Sequence, residues 1–527
     1  MSSTKRFGRI GRRNFVKLGA AGATGLYLTG CGGDPVERVQ ALVIGSGFGG
    51  SIAAQRLAEA GVGVTVLERG RRWEISEEGD TFCTTQAPDG RCAWGHREPV
   101  LPGLPPTRLR RSPYAGLLQR FGGGGIDVVS AAAVGGGSLV YSGLMLKPPR
   151  DLFEQVMPSD ISYTEMDEVW YQRVLDIMQP DSMPDDVLAA EPYASSRIFI
   201  RDAELAGLEV ERRIVAFDWD RIRAELAGDI TAQCITGDYL YGLNSGAKKS
   251  IDRMGWLPAA EATGLVDVRP LHQVTSIGKT DEGRWYADVE IISESLEVLE
   301  TTRIEADCLF MGAGSMNTTK LLLRAQRDMT ITGLNDEIGN HWGNNGQRIL
   351  ARTNLSEDTG AEQGGPACIF LHHHDNPDSP IGMEFGPAPI GFESNSLVCA
   401  TQGIPDQLGQ LRLDADGEVF AEWDRSYDEA AGRAARTTVQ TVVDATEGEV
   451  GTIPGLGDPN ITFHPLGGVT LGMATDSFGR VRGQENLYVV DSSLIPGSTP
   501  AGNPFWTIAA IAERCMDTII REDFATG

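Results

Sequence analysis

The chain has 527 residues, too many for one hydrophobic core, so two or more domains are expected. With 41% hydrophobic and 22% charged residues it has an ordinary globular composition, and 65 glycines suit close backbone approach to a ligand. A formal charge of −26 leaves little basic surface for phosphate contact, which excludes nucleic acid as an expected partner.

The first element departs from this acidity. Residues 1–33 carry Lys5, Arg6, Arg9, Arg12, Arg13 and Lys17 and no acid, and an apolar stretch of small residues follows at 18–30. That stretch is too short and glycine-rich to span a bilayer, and the order of basic, apolar and small residues reads as an export signal. Arg12-Arg13-Asn14-Phe15-Val16-Lys17 resembles a bacterial twin-arginine signal, a route that carries folded proteins. The expected location is therefore periplasmic or secreted. Leu28-Thr29-Gly30-Cys31 also resembles a lipoprotein cleavage site, which leaves a lipid anchor at Cys31 open.

Residues 39–44 read as a buried strand, 45–50 as a glycine turn, 51–60 as a helix and 62–67 as a second buried strand. The turn, Gly45-Ser46-Gly47-Phe48-Gly49-Gly50, has the context that a dinucleotide fingerprint requires. Its backbone amides would meet a pyrophosphate at the helix N-terminus. Glu68 lies 18 residues beyond Gly50, where a carboxylate accepts from ribose hydroxyls and repels a 2′-phosphate. FAD and NAD remain.

Residues 73–125, with Pro99, Pro102, Pro105 and Pro106 ahead of a basic cluster of Arg108, Arg110 and Arg111, read as long loops over a site, a candidate lid. Of the eight cysteines, Cys83 and Cys92 flank a turn-rich loop, which leaves a disulfide and two free thiols equally open. No CxxC pair occurs, so neither zinc nor an iron–sulfur cluster is indicated. Gly135-Gly136-Gly137-Ser138 suggests amides packed against a flat or anionic ligand. Residues 151–248 read as mainly helical. Segments 266–270, 271–277 and 285–292 read as one β-meander. Residues 308–315 read as a strand meeting a glycine turn, and 341–460 as short strands and loops. A last strand is expected at 486–491 and a closing helix at 504–520. His372-His373-His374 looks like a metal tract but reads as a surface loop, because neighbouring strand residues face opposite ways.

The chemistry gathers near the C-terminus, in His464-Pro465, Asp491 and Asn503-Pro504-Phe505. Alcohol oxidation needs a group that orients the oxygen and one that takes its proton. His464 is suited to such work, since a neutral imidazole accepts at one nitrogen and donates at the other. Asn503 offers an amide to the same oxygen; the plain alternative is a cap for the following helix. Glu384, among Met383, Phe385 and Pro387, should have a raised pKa, with Glu393 as the alternative base.

These motifs together resemble the GMC flavoenzyme oxidoreductases, and within them the bacterial FAD-containing cholesterol oxidases. The resemblance runs from about Val39 to Asp523. It is carried by the glycine turn with Glu68, by Val134-Gly-Gly-Gly-Ser-Leu-Val, Leu271-His-Gln-Val, Gly312-Ala-Gly-Ser, Phe463-His-Pro-Leu-Gly-Gly, Leu487-Tyr-Val-Val-Asp and Asn503-Pro-Phe. The central helical segment matches poorly. Tyr141 departs from the cholesterol oxidase motif, which carries Asn there.

The resemblance implies a mixed α/β fold, an FAD-binding Rossmann-like domain (38–72, 250–340 and 478–527) interrupted by a substrate domain with its own sheet (73–249 and 341–477). It implies FAD on Gly45, Gly47, Phe48, Gly49, Gly50 and Glu68, with Gly136 and Gly137 near the flavin ring and Val274 on the adenine side. Asp491, Asn503 and Phe505 would lie near the isoalloxazine and ribityl groups. It implies His464, Asn503 and Glu384 as catalytic residues and no metal. The implied reaction oxidises a sterol 3-hydroxyl with O2 as acceptor, followed by isomerisation to the conjugated enone. A dehydrogenase of another bulky secondary alcohol with a different electron acceptor is the alternative. A membrane surface would serve for substrate access or for the lipid anchor.

Overall fold

The computed structural model describes residues 36–95, 113–389, 391–452 and 460–524. The export signal, Cys31 and residues 96–112 of the lid expected over 73–125 lie outside these residues.

Continuous apolar runs build the first sheet, as expected for strands covered on both faces. Glu37–Ile44 pairs in parallel with Val64–Leu67 on one side and Val298–Met311 on the other. The order across the sheet is Val266–Arg269, Val64–Leu67, Glu37–Ile44, Val298–Met311, Trp285–Ile292 and His272–Lys279. Leu487–Val489 adds in parallel to the C-terminal end of Val298–Met311. The sequence reading placed 266–270 in the meander; this corrects it. Val266–Arg269 pairs in parallel with Val64–Leu67 at the sheet edge. The meander is formed by His272–Lys279, Trp285–Ile292 and Val298–Met311, all antiparallel. Alternation alone does not reveal which neighbour a strand selects. Helices Phe48–Glu59 and Phe505–Asp523 pack against each other over this sheet and share its core.

The second sheet is antiparallel, ordered Glu449–Gly451, Arg348–Thr353, Leu397–Gln402, Ile381–Gly386, Ile369–His373 and Glu209–Arg212. Its side chains alternate faces with period two. Met383, Phe385, Leu397 and Cys399 join the core under helices Ala194–Leu205 and Glu429–Ala445. Glu384, Gly386, Val398 and Ala400 point the other way and line a cavity. The strand register sets Glu384 opposite Ala400 and Gly386 opposite Val398. Buried Arg348 forks onto buried Asp428, which also accepts from Asn344 Nδ2 at 2.6 Å. This pair ties the turn 344–347 to the start of Glu429–Ala445. Among the described residues no helix is long and apolar enough to cross a membrane.

Candidate active site

Three parallel strands end together, and the cleft lies beyond their C-terminal ends, where open α/β sheets bind ligands. Gly45 takes φ +93°, and a Cβ there would meet the Gly312 carbonyl at 2.4 Å. A Cβ at Gly49 would lie 1.8 Å from the Val490 carbonyl. Only glycine lets the first helix start so close to the neighbouring strands. Its N-terminus at Gly47 has no side-chain cap, which leaves its amides for a ligand. Glu68 closes the second strand. One oxygen accepts from Ser46 N and Oγ at 3.0 and 2.8 Å, the other from Gly70 N at 2.8 Å.

A cavity of about 870 Å³ runs from this glycine turn to the second sheet. Gly45, Gly47, Phe48, Gly49, Glu68, Gly136, Gly137, Val274, Asp491, Asn503 and Phe505 line it, as do His464 and Glu384. Gly50 does not; a Cβ there would lie 1.9 Å from the Gly45 carbonyl, so its role is close packing of helix on strand. Asp491 borders the cavity, but its carboxylate is already used. It accepts from Gly314 N and Thr318 Oγ1 at 2.8 and 2.5 Å, and from Ser493 N and Oγ at 2.9 and 2.6 Å. It thereby fixes the start of helix Gly314–Arg327.

The reacting end is built by two loops and one strand. His464 is half-buried and lines the cavity, and burial pushes its imidazole down to about 3. Its backbone N donates to Thr462 Oγ1 at 3.0 Å, while Phe463 N donates to Gln347 Oε1 at 2.8 Å. The imidazole Nδ1 meets Asn345 Nδ2 at 3.3 Å. Backbone groups fix the orientation of that amide. Asn345 Oδ1 accepts from Thr499 N at 2.8 Å, and Nδ2 donates to the Gly502 carbonyl at 2.9 Å. Nδ1 must therefore present its lone pair, and the neutral ring carries its proton on Nε2. The ring thus accepts at one nitrogen and donates at the other, and the nitrogen left to donate is Nε2.

Glu384 is buried, and burial drives its pKa up to about 7 against the hydrogen bonds it accepts. Those come from Asn503 Nδ2 at 3.0 Å and Gln402 Nε2 at 3.4 Å. Asn503 Nδ2 also lies 3.3 Å from Ser142 Oγ, and its Oδ1 is buried without a hydrogen-bond partner. Asn503 does not cap the last helix, which begins at Phe505 with no side-chain cap. Glu393 lies outside the cavity wall. Burial raises its pKa, but bonds from Asp358, Thr359 and Asn395 outweigh this and bring it to about 2. Tyr141 packs 4.9 Å from the Phe505 ring and donates to the Lys249 carbonyl at 2.6 Å.

The histidine tract makes no metal centre. His372 bonds Glu211, His373 bonds Thr438, and among the described residues no group of three potential ligands converges on one point.

Sequence reasoning missed Asn345, Gln402 and Ser142. Asn344-Asn345-Gly346 signals only a turn, and Asn345 takes the left-handed φ of +62° that such turns favour. Nothing local links it to His464.

The uncapped helix, the Glu68 carboxylate on the cavity wall and the close-packed glycines fit a dinucleotide cofactor. The orphaned Asn503 Oδ1 supplies an acceptor at the far end. The "GMC oxidoreductase" family profile matches residues 413–512, and an "NAD(P)-binding Rossmann-like domain" profile matches 43–73. A cholesterol oxidase of Acinetobacter baumannii is 23% identical over 91% of this chain and 94% of its own. One from Mycobacterium tuberculosis is 24% identical over 90% and 89%. Among solved structures, pyridoxine 4-oxidase from Mesorbium loti covers 92% of this chain and 99% of its own, at TM-score 0.60 and 16% identity. Aspergillus oryzae formate oxidase aligns over 92% and 98%, at TM-score 0.61 and 12% identity.

Proposed function

For a chain that belongs to the GMC oxidoreductases, with FAD as cofactor, we propose oxidation of a sterol 3-hydroxyl to the ketone, with O2 as acceptor, followed by isomerisation to the conjugated enone. The observation that carries this reading is the pairing, in one apolar-walled cavity, of a neutral imidazole donor with a buried carboxylate near pKa 7.

When bound, the flavin supplies the hydride acceptor at its N5. The residues 45–49 and Glu68 would hold the pyrophosphate and ribose. The chain must manage the hydroxyl. His464 Nε2–H donates to the substrate oxygen and stabilises the negative charge that develops there. Glu384 accepts the hydroxyl proton, since it is the lining group whose pKa lies near neutrality. Once that proton has passed to solvent, the ionised carboxylate takes a proton from one ring carbon of the β,γ-unsaturated ketone and returns it to another. Asn503 Nδ2 holds Glu384 in place, and its Oδ1 is left as an acceptor without a partner. Val129, Leu240, Ile349, Val398 and Ile461 form an apolar wall suited to a steroid body. Anaerobic mixing of the yellow protein with sterols and with smaller alcohols tests this. Bleaching of the flavin by a 3β-hydroxysterol is expected. Bleaching only by other alcohols overturns the sterol assignment.

Tyr141 favours a second reading, a dehydrogenase of another bulky secondary alcohol with a non-oxygen acceptor. Its ring occupies the position of a smaller amide in the resembling sterol enzymes and narrows the site beside Phe505. Peroxide yield against dye reduction separates the two.

Asn345 is a positioning residue in this mechanism. Asn345→Asp would place a carboxylate against Nδ1, draw the proton there and raise the imidazole pKa. We expect flavin reduction to slow and a new pH limb to appear. An unchanged pH profile would sink the tautomer argument.

We also propose export through the twin-arginine route, supported by Arg12-Arg13 ahead of an apolar stretch in an otherwise acidic chain. Replacing both arginines with lysine should retain the protein in the cytoplasmic fraction. Undiminished export would count against it.

A further inference from the structure

We propose that Cys83 and Cys92 are an oxidisable dithiol that closes to a disulfide behind the wall of the cavity. The two residues are 3% and 2% exposed and share an apolar cluster with Leu118, Val129 and Ile461. The structure holds both as thiols in that one cluster, and Arg91 draws the two ends of the loop together by donating to the Thr81 carbonyl at 3.2 Å. Their approach is held from several sides. Phe82 exchanges two backbone bonds with the Asn244 amide at 2.8 and 3.0 Å. Thr85 donates to Asp238 through N and Oγ1 at 2.9 and 2.7 Å. Asp89 accepts from Arg91 N at 2.8 Å, and its carbonyl accepts from Cys92 N at 3.3 Å and Sγ at 3.0 Å. The loop between the thiols is therefore pinned at both ends, and little ordering remains for bond formation.

The pair is solvent-shielded but belongs to the cluster that backs the cavity wall. Leu118, Val129 and Ile461 share that cluster with the cysteines and also line the cavity. A small neutral oxidant in the cavity, hydrogen peroxide, is the reagent we name. The neighbouring Cys83 side chain lowers the pKa of Cys92, while that of Cys83 is raised, which makes Cys92 the attacking sulfur. Cys92 attacks one peroxide oxygen. The O–O bond breaks, a sulfenic acid forms, and water leaves with the thiol proton. The Cys83 sulfur then attacks Cys92. The S–S bond forms, the S–O bond breaks, and the Cys83 proton leaves in a second water. Two thiols lose two electrons and one peroxide gains them.

The test uses the full-length flavin-loaded protein and no substrate, so it stands apart from the identity of the alcohol. The protein is treated with hydrogen peroxide, denatured in iodoacetamide without reductant, digested and mapped by mass. A cross-linked pair of peptides bearing Cys83 and Cys92, separated by dithiothreitol, is expected. In Cys83→Ser, Cys92 should instead stop at a sulfenic acid trapped by dimedone. Alkylation of both cysteines in the peroxide-treated parent overturns the proposal, as does their oxidation to sulfinic acid without a cross-link. The parent map decides the matter even if Cys83→Ser fails to fold.

Discussion

His464→Ala should slow anaerobic flavin reduction by roughly 10²–10³, the usual effect of removing one preorganised donor from a developing oxyanion. The imidazole has been pushed down to about 3 by burial, so it stays neutral across the working pH range. Asn345 holds the proton on Nε2, which fixes the ring as a donor toward the cavity. His464→Gln separates donor from base. Glutamine can offer an N–H but cannot take a proton at neutral pH. It should recover a substantial part of the rate lost in His464→Ala. Equal loss in both variants, with a pH limb vanishing in each, would return His464 to the role of base. Stopped-flow measurement of flavin bleaching across pH makes the distinction.

Glu384→Gln should act on both halves of the reaction. Losing a positioned acid–base group typically costs roughly 10²–10⁴ in rate. The carboxylate has a pKa raised to about 7 by burial, so the active, ionised form is gained as pH rises through that value. The parent should therefore show a rising limb near pH 7 in flavin reduction. In Glu384→Gln the limb should disappear, and any ketone formed should leave unconjugated. The raised pKa has a stability consequence with the opposite sign to a salt-bridged carboxylate. The folded value lies above the ordinary value of 4.5, so the charged form costs stability as pH rises beyond about 4.5, in full above about 7. Glu384→Gln should lessen this loss of stability at alkaline pH, read as the pH dependence of thermal unfolding. If conjugated enone appears at the parent rate, Glu384 is not the base. Glu393, bonded to Thr359 and Asn395 outside the cavity, would then have no geometric claim to replace it.

The cofactor end was legible because its signals are contiguous. One strand, one glycine turn, one helix and an acidic residue closing the next strand lie within residues 37–68, and local propensity places each of them. The motifs around His464 and Asn503 were legible as short runs of the same kind. Pairing of the segment 266–269 was misread because a half-buried strand carries no local mark of its neighbour. The roles within the reacting end were harder still. His464 meets Asn345, and Asn503 meets Glu384, in each case across 119 residues of chain.

The amino-acid sequence by itself determined the strand, glycine turn and helix of the cofactor end, since contiguous glycines and apolar runs set that unit, and its separate motifs carried the resemblance to the GMC oxidoreductases. Only the tertiary structure decided which nitrogen of His464 bears the proton, which glutamate lies in the cavity, and that Cys83 and Cys92 share one buried cluster with residues of its wall. Protonation and reactivity depend on burial and on the orientation of partners. Those partners arrive from distant strands and loops, and they exist as partners only once the two sheets are assembled.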